Sequence, residues 1–110
     1  MAAIDPAVFA ELQATAGADF VRELVDTFLE EAPPMLAELR ATLAAARAEP
    51  FRRAAHSLKS NASTFGAATL AALARDLELQ GLDAATPAAL AALAQQYEVA
   101  AAELKALRDA

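Results

Sequence analysis

Residues 51–66 read FRRAAHSLKSNASTFG and contain His56, the only histidine of the 110-residue chain. A helical wheel at ~100° per residue divides this stretch into two faces. The apolar face predicts a helix that is buried along one side: Phe51, Ala55, Leu58, Ala62 and Phe65. The opposite face carries Arg52, His56, Lys59, Ser60 and Ser63. The pattern therefore predicts an amphipathic helix that presents His56 to solvent among cations and hydroxyl groups.

Composition and charge exclude several classes of protein. Apolar types make up 57% of the chain and only three glycines and five prolines interrupt them, which favours helix almost throughout. Nine basic residues against fifteen acidic ones give a net charge of −6, which argues against nucleic acid as a partner. The length fits one domain, residues 1–110.

Targeting and redox signals are missing from the sequence. The absence of cysteine excludes disulfides and thiolate metal sites. The start, MAAIDPAVFAELQ, lacks the basic and apolar regions of a signal peptide, and no uncharged stretch is long and apolar enough to span a bilayer. The sequence predicts a cytoplasmic protein with no membrane association.

Start and stop signals in the first half predict two helices. Asp5 and Pro6 form a cap and first-turn pair, and Gly17 closes this short segment, which is expected to pack across the end of something larger. A second helix is predicted from Ala18 or Asp19 to about Arg47, with a buried face of Phe20, Val21, Leu24, Val25, Phe28 and Leu29. The apolar rhythm resumes beyond residues 33–34, a Pro-Pro pair, in nearly the same phase, which favours one long bent helix over two.

Three more helices are predicted in the second half. The helix with His56 is expected from Pro50 to a left-handed C-cap at Gly66, and the next from about Ala67 to Gln80, stopped by Gly81 and buried through Leu70, Leu73 and Leu77. Thr86 and Pro87 start the last helix, whose inward seam is Leu90, Leu93, Tyr97, Ala100, Leu104 and Leu107. Short loops make neighbours antiparallel, so the predicted fold is all-α: an up-down four-helix bundle with an additional short N-terminal helix.

The inventory of reactive residues leaves one candidate chemistry. One histidine and no carboxylate cluster at ligand spacing argue against a metal site. No strained elbow or oxyanion hole accompanies the serines, and no glycine-rich loop is available for a nucleotide. What remains is His56, because an exposed neutral imidazole can accept and release a phosphoryl group near neutral pH.

Residues 55–67, AHSLKSNASTFGA, resemble the signature of histidine-containing phosphotransfer (HPt) domains: a histidine, a hydrophobic residue and lysine, small residues, and a glycine ten positions after the histidine. The flanking residues and the order of predicted helices extend the resemblance over essentially the whole chain. It implies a phosphorelay carrier in which His56 takes a phosphoryl group from an aspartyl phosphate on one receiver domain, or from a histidine kinase, and passes it to the aspartate of another. It implies no cofactor in this chain, because the Mg²⁺ belongs to the receiver.

Cations near His56 fit this chemistry. Lys59 stands one turn beyond the histidine on the same face, where its ammonium would offset charge on an incoming phosphoryl group. Arg52 and Arg53, one turn before it, would form a positive ring that steers an acidic receiver pocket, and are expected to contact the partner. The plainer alternative, ordinary solvated charges, stays open for all three.

Glu78 is a candidate orienting residue. In a hairpin about Gly66, His56 lies ten residues before the turn and Glu78 twelve after it, at heights of ~15 and ~18 Å. A carboxylate that accepts a hydrogen bond from Nδ1–H would hold the tautomer that leaves Nε2 free to attack. Related domains place a glutamate or glutamine at this position, although a plain surface acid stays open here.

One position departs from the family pattern. The residue after the motif lysine is usually glycine, and here it is Ser60, whose hydroxyl could bond the phosphoryl group or the imidazole. Serine keeps most of the room for a partner's backbone, so function is expected to be retained with altered partner affinity. Ser63, one turn further on, is a weaker candidate for the same contact.

Two competing hypotheses stay open beside a free-standing carrier. One is a helical interaction module that works without phosphate. The other is the phospho-accepting domain of a larger sensor kinase, although a chain that starts with Met and fills the fold favours the free-standing form. The expected partners are receiver domains and a sensor histidine kinase. A monomer without kinase activity of its own is expected, since the leucine seams are needed inside.

Overall fold

Apolar residues at helical spacing determine the elements of the chain, and the computed structural model describes residues 3–110. Within this range the helices are α1 (Pro6–Ala16), α2 (Ala18–Ala44), α3 (Ala48–Thr64), α4 (Ala68–Gln80) and α5 (Pro87–Asp109), with a 3₁₀ turn at Gly81–Ala84. The described part of the chain is therefore all-α, as predicted.

The four long helices form a ring around one core. Neighbours in the ring are α2 and α3, α3 and α4, α4 and α5, and α5 and α2, so α3 and α5 stand diagonally opposite each other. The largest fully buried side chains come from all four helices and from the segment before α1: Phe51, Ile4, Leu39, Leu58, Leu70, Leu93, Leu104, Val21 and Val25. This is the up-down four-helix bundle that the sequence predicts.

Helix α2 continues through residues 33 and 34 without interruption, as one helix. Its last residue is Ala44, slightly before the predicted end near Arg47. Helix α3 begins at Ala48, two residues before the predicted start at Pro50. A proline fits inside this first turn because the first four N–H groups of a helix have no intrahelical partner.

Two apolar residues predicted to be buried lie at the surface. Phe20 is 51% exposed, because α3 ends at Thr64 near the level of Phe28, whose ring lies 5.4 Å from that of Phe65, about two turns short of Phe20. Leu107 is 36% exposed in the last turn of α5, where the predicted seam passes beyond the core. The apolar pattern also does not predict the 3₁₀ turn that follows α4.

Helix α1 closes one end of the bundle. Its cap is the Asp5 side chain, which accepts from the Ala7 N–H, while the Asp5 N–H donates to the Gly66 carbonyl at 2.9 Å in the turn between α3 and α4. The Glu103 carboxylate on α5 accepts from the N–H groups of Ala3 and Ile4 at 2.6 and 3.2 Å. The start of the chain is thus bonded to the α3–α4 turn and to α5 together.

Gly66 is the tightest point of this arrangement. Its φ of +74° is the left-handed conformation that favours glycine, as predicted for the end of α3. A Cβ built at Gly66 would lie 2.8 Å from the Cβ of Val8 on α1. Glycine is therefore required here both by the backbone conformation and by the close approach of α1.

Gly66→Ala is expected to destabilise the protein by about 3 kcal/mol, because strain at positive φ adds to a collision with Val8. Gly81→Ala is a control without a collision, since Gly81 also has positive φ, +67°, and an added Cβ meets no atom within 4 Å, but its ψ of −151° is a conformation that only glycine adopts readily. That variant is expected to lose about 1–3 kcal/mol from the backbone conformation alone. Urea unfolding measures both variants, and Gly66→Ala in a Val8→Gly background isolates the collision: a loss as large as in the wild-type background would show that the close approach of Val8 contributes nothing.

Candidate functional site

Helix α3 presents His56 to solvent because its core face is fully used in packing. Residues 51, 54, 55, 58 and 62 are buried on that face. His56 lies on the opposite side, with 55% of its side chain exposed. The ring is therefore accessible to another molecule while the helix that carries it is anchored in the core.

The Glu78 carboxylate on α4 contacts both the His56 ring and the Lys59 ammonium on α3. Glu78 Oε2 lies 2.5 Å from His56 Nδ1, and Glu78 Oε1 lies 2.8 Å from Lys59 Nζ. Oε1 is buried, and the nearby ammonium offsets its charge without an aligned hydrogen bond. The Glu78 side chain is only 12% exposed. The structure thus brings together His56, Lys59 and Glu78, three residues singled out in the sequence.

The ionised carboxylate determines which ring nitrogen carries a proton. The Lys59 ammonium lowers the pKa of Glu78, burial opposes this effect, and His56 adds to the lowering. An ionised carboxylate only accepts hydrogen bonds, so Nδ1 of His56 is the donor. In the neutral ring, the lone pair is then on Nε2, which has no hydrogen-bond partner among residues 3–110.

The lowered pKa of Glu78 predicts a contribution to stability that acid removes. Because the folded-state pKa lies below the ordinary value of 4.5, the contribution is complete above that pH and is lost as the pH falls through the folded-state pKa. Wild type is therefore expected to be more stable than Glu78→Gln near pH 7, with the difference shrinking below pH 4.5.

Urea unfolding midpoints at pH 7 and pH 3 measure this difference. Lys59→Met serves as a second variant, since it removes the largest cause of the pKa shift and leaves the carboxylate in place. The pH-dependent difference between Lys59→Met and Lys59→Met/Glu78→Gln should be smaller than the difference in the wild-type background. A difference that is constant with pH would contradict the link between Glu78 and stability.

The two arginines before His56 differ in their surroundings. Arg52 donates to Glu49, one turn earlier, at 3.0 and 3.1 Å, and this carboxylate raises the pKa of Arg52. Arg53 is exposed and makes no ion pair within residues 3–110. The predicted positive ring therefore contains one arginine that is neutralised locally and one that is available. The spacing of three between Glu49 and Arg52 could have indicated the pairing.

Ser60 and Ser63, the two serines predicted to contact a partner, lie exposed on the same side of α3 as His56. Within residues 3–110, neither hydroxyl makes a hydrogen bond to the imidazole; the Ser60 carbonyl accepts from the Thr64 hydroxyl at 3.1 Å. Ser60 and Ser63 thus flank the ring without joining the group formed by His56, Lys59 and Glu78.

The described residues restrict other kinds of site. Between residues 3 and 110 no group of three or more histidine, cysteine, aspartate or glutamate side chains is arranged to hold a metal ion. None of the helices in that range combines the length and apolar character needed to cross a bilayer.

A helical bundle with one exposed, carboxylate-bound histidine is typical of a phosphotransfer domain, and comparisons with known proteins agree. The family model of the Hpt domain matches residues 23–110. The crystal structure of histidine-containing phosphotransfer protein B (HptB) from Pseudomonas aeruginosa PAO1 is similar, with a TM-score of 0.87 and 30% sequence identity over 96% of this chain and 94% of that chain. A comparison with curated protein sequences gave no match. The chain belongs to the Hpt domain family, so the predicted family and fold are confirmed, and its general role is that of a phosphorelay carrier.

Proposed function

We propose that His56 is the phosphoacceptor and that Nε2 is the attacking atom. The observation that carries this proposal is the exposed ring whose Nδ1 is held by Glu78 at 2.5 Å. The Nε2 lone pair attacks the phosphorus of an aspartyl phosphate on a receiver domain, and the bond to the aspartate oxygen breaks. The receiver regains its carboxylate, and the aspartate of a second receiver removes the phosphoryl group by the reverse process.

Glu78 has a defined part in this transfer. When Nε2 bonds to phosphorus, the ring keeps its Nδ1 proton and becomes cationic. The Glu78 carboxylate, already in contact with Nδ1, stabilises the developing positive charge and fixes the orientation of the ring. No proton has to leave the site during transfer.

Lys59 supplies positive charge beside the same ring. Its Nζ lies 2.8 Å from Glu78 Oε1, and its side chain is 28% exposed. From this position the ammonium offsets charge on the phosphoryl group, which is the role implied by the family resemblance. Contact with Glu78 also keeps the flexible lysine side chain near His56 before a partner arrives.

The surface around His56 is suited to an acidic partner. Four of the nine basic residues lie between residues 48 and 80, with only three of the fifteen acidic ones, on a chain whose net charge is −6. The net charge of this region is +1, from four basic minus three acidic residues, against −7 for the rest of the chain, so a receiver pocket built from carboxylates meets the least repulsion here. Arg52, Arg53, Ser60 and Ser63 are the proposed contacts, with Arg53 the arginine free to pair with the partner.

The carrier is proposed to act as one domain and as a monomer, and to exchange phosphate with receiver domains and a sensor histidine kinase. It is not expected to use ATP itself. The test incubates the purified protein with an acetyl-phosphate-charged receiver domain, and in a parallel sample with ATP. Acid-labile, alkali-stable phosphate should form only in the first sample and should pass to a second, uncharged receiver. A protein that takes no phosphate from any of a panel of charged receivers would instead be a phosphate-independent interaction module.

A further inference from the structure

Leu79 is the most exposed large apolar residue of the described chain, at 66%. It follows Glu78 directly on α4, and Glu78 contacts His56. Single exposed leucines are ordinary on protein surfaces and need no explanation by themselves. The position of this one, next to the residue that holds the imidazole, is what distinguishes it.

Helix geometry places Leu79 and His56 on the same side of the α3–α4 hairpin. Leu79 is nine residues from the buried Leu70, and His56 is nine residues from the buried Phe65, so at ~100° per residue each points directly away from the core. His56 lies ten residues before Gly66 and Leu79 thirteen after it, at heights of ~15 and ~20 Å above the turn. With helix axes 8–10 Å apart and a height difference of ~5 Å, the two helix axes are roughly 10 Å apart at these levels, and the two outward-pointing side chains are a few ångströms farther from each other.

The separation between His56 and Leu79 is smaller than the radius of a typical protein interface. A specific interface buries about 800 Å² on each partner, which corresponds to a disc of roughly 16 Å radius. A receiver whose aspartate reaches Nε2 of His56 is centred near that atom, so its footprint includes Leu79. Phe20, 16 residues along α2 from the level of His56, is ~24 Å away and lies outside. Val99 is on α5, the helix diagonally opposite α3.

We infer that Leu79 is an apolar anchor that binds a receiver domain carrying an apolar side chain at the rim of its acidic phosphoacceptor pocket. The inference rests on the proposed function of His56. Arg75 and Asp76, both exposed one turn before Leu79 on α4, provide the polar surroundings in which an apolar anchor is typically set. Leu79 acts on docking and not on the chemistry at Nε2, so it influences which receivers accept the phosphoryl group efficiently.

The experiment separates docking from chemistry by comparing phosphorylation by a small-molecule donor with phosphoryl transfer to a receiver domain. Phosphoramidate, a small molecule, phosphorylates His56 without a protein interface. The receiver used is the member of a panel of purified receiver domains that accepts the phosphoryl group fastest from the wild-type protein. Leu79→Ala is expected to raise KM for this receiver about five- to tenfold and to leave the phosphoramidate rate unchanged. Phe20→Ala and Val99→Ala, which remove exposed apolar side chains elsewhere, are expected to change neither quantity.

Each outcome distinguishes the inference from the proposed function. An unchanged KM in Leu79→Ala, or an equal rise in Val99→Ala, would overturn the role of Leu79. Uptake from phosphoramidate without transfer to any receiver would also overturn it, while the chemistry of His56 would stand. A wild-type protein that takes no phosphate from phosphoramidate and none from any charged receiver domain would refute the proposed function itself.

Discussion

Replacing His56 with glutamine is expected to abolish phosphoryl uptake from a charged receiver domain. The amide nitrogen of glutamine has no available lone pair, so no nucleophile remains at the position that Nε2 occupies. The glutamine amide can still donate a hydrogen bond to Glu78. Since 55% of the His56 side chain is exposed, the loss of activity is expected without a large change in the unfolding midpoint.

Intact-mass measurement before and after acid treatment tests this expectation. Wild type should gain the mass of one phosphoryl group and lose it in acid, whereas His56→Gln should gain none. Ser57→Ala is the matched control, because it removes an exposed hydroxyl next to His56 on the same helix, at a residue outside the proposed contacts, and leaves the ring intact. Phosphate that is stable in acid, or that persists in His56→Gln, would place the acceptor on another residue.

The amino-acid sequence predicts the exposure of His56 because a helix with one apolar stripe has only one way to turn in a bundle. Once residues 51, 58 and 65 are buried, His56 points outward. The register of the hairpin follows from Gly66, whose positive φ ends α3 at a known residue. For this reason simple counting of helix rise places Glu78 at the level of His56.

The apolar pattern of one helix does not show where its neighbouring helices end, so it does not predict which residues those neighbours leave exposed. Phe20 fits the apolar stripe of α2 but is 51% exposed, because burial requires a neighbour and α3 ends before reaching it. The sequence likewise shows Arg52 near His56 without showing that Glu49 binds it. Leu79 belongs to no apolar stripe, and its proximity to His56 is evident only once α4 is placed beside α3.

The structure gives the distance between Glu78 and His56, and the rate of phosphoryl transfer measures how much this contact contributes to the reaction. Two roles are combined in one carboxylate: it accepts from Nδ1 and it pairs with Lys59. Removing the side chain removes both, whereas glutamine retains an oxygen that accepts from Nδ1 and loses the negative charge. The pair of variants therefore separates orientation of the ring from charge.

Glu78→Ala is expected to slow phosphoryl transfer from a charged receiver about 10- to 100-fold, a loss typical of removing a group that orients a reacting ligand. Glu78→Gln should recover most of this rate, because an acceptor at Nδ1 is restored. Nitrogen NMR of the neutral ring gives a readout independent of rate: the proton should be on Nδ1 in wild type and Glu78→Gln, and should distribute between both nitrogens in Glu78→Ala. If Glu78→Ala transfers phosphate at the wild-type rate while its tautomer changes, the hydrogen bond orients the ring without contributing to transfer. If glutamine is as slow as alanine, the negative charge that stabilises the cationic phosphorylated ring is the decisive property of Glu78.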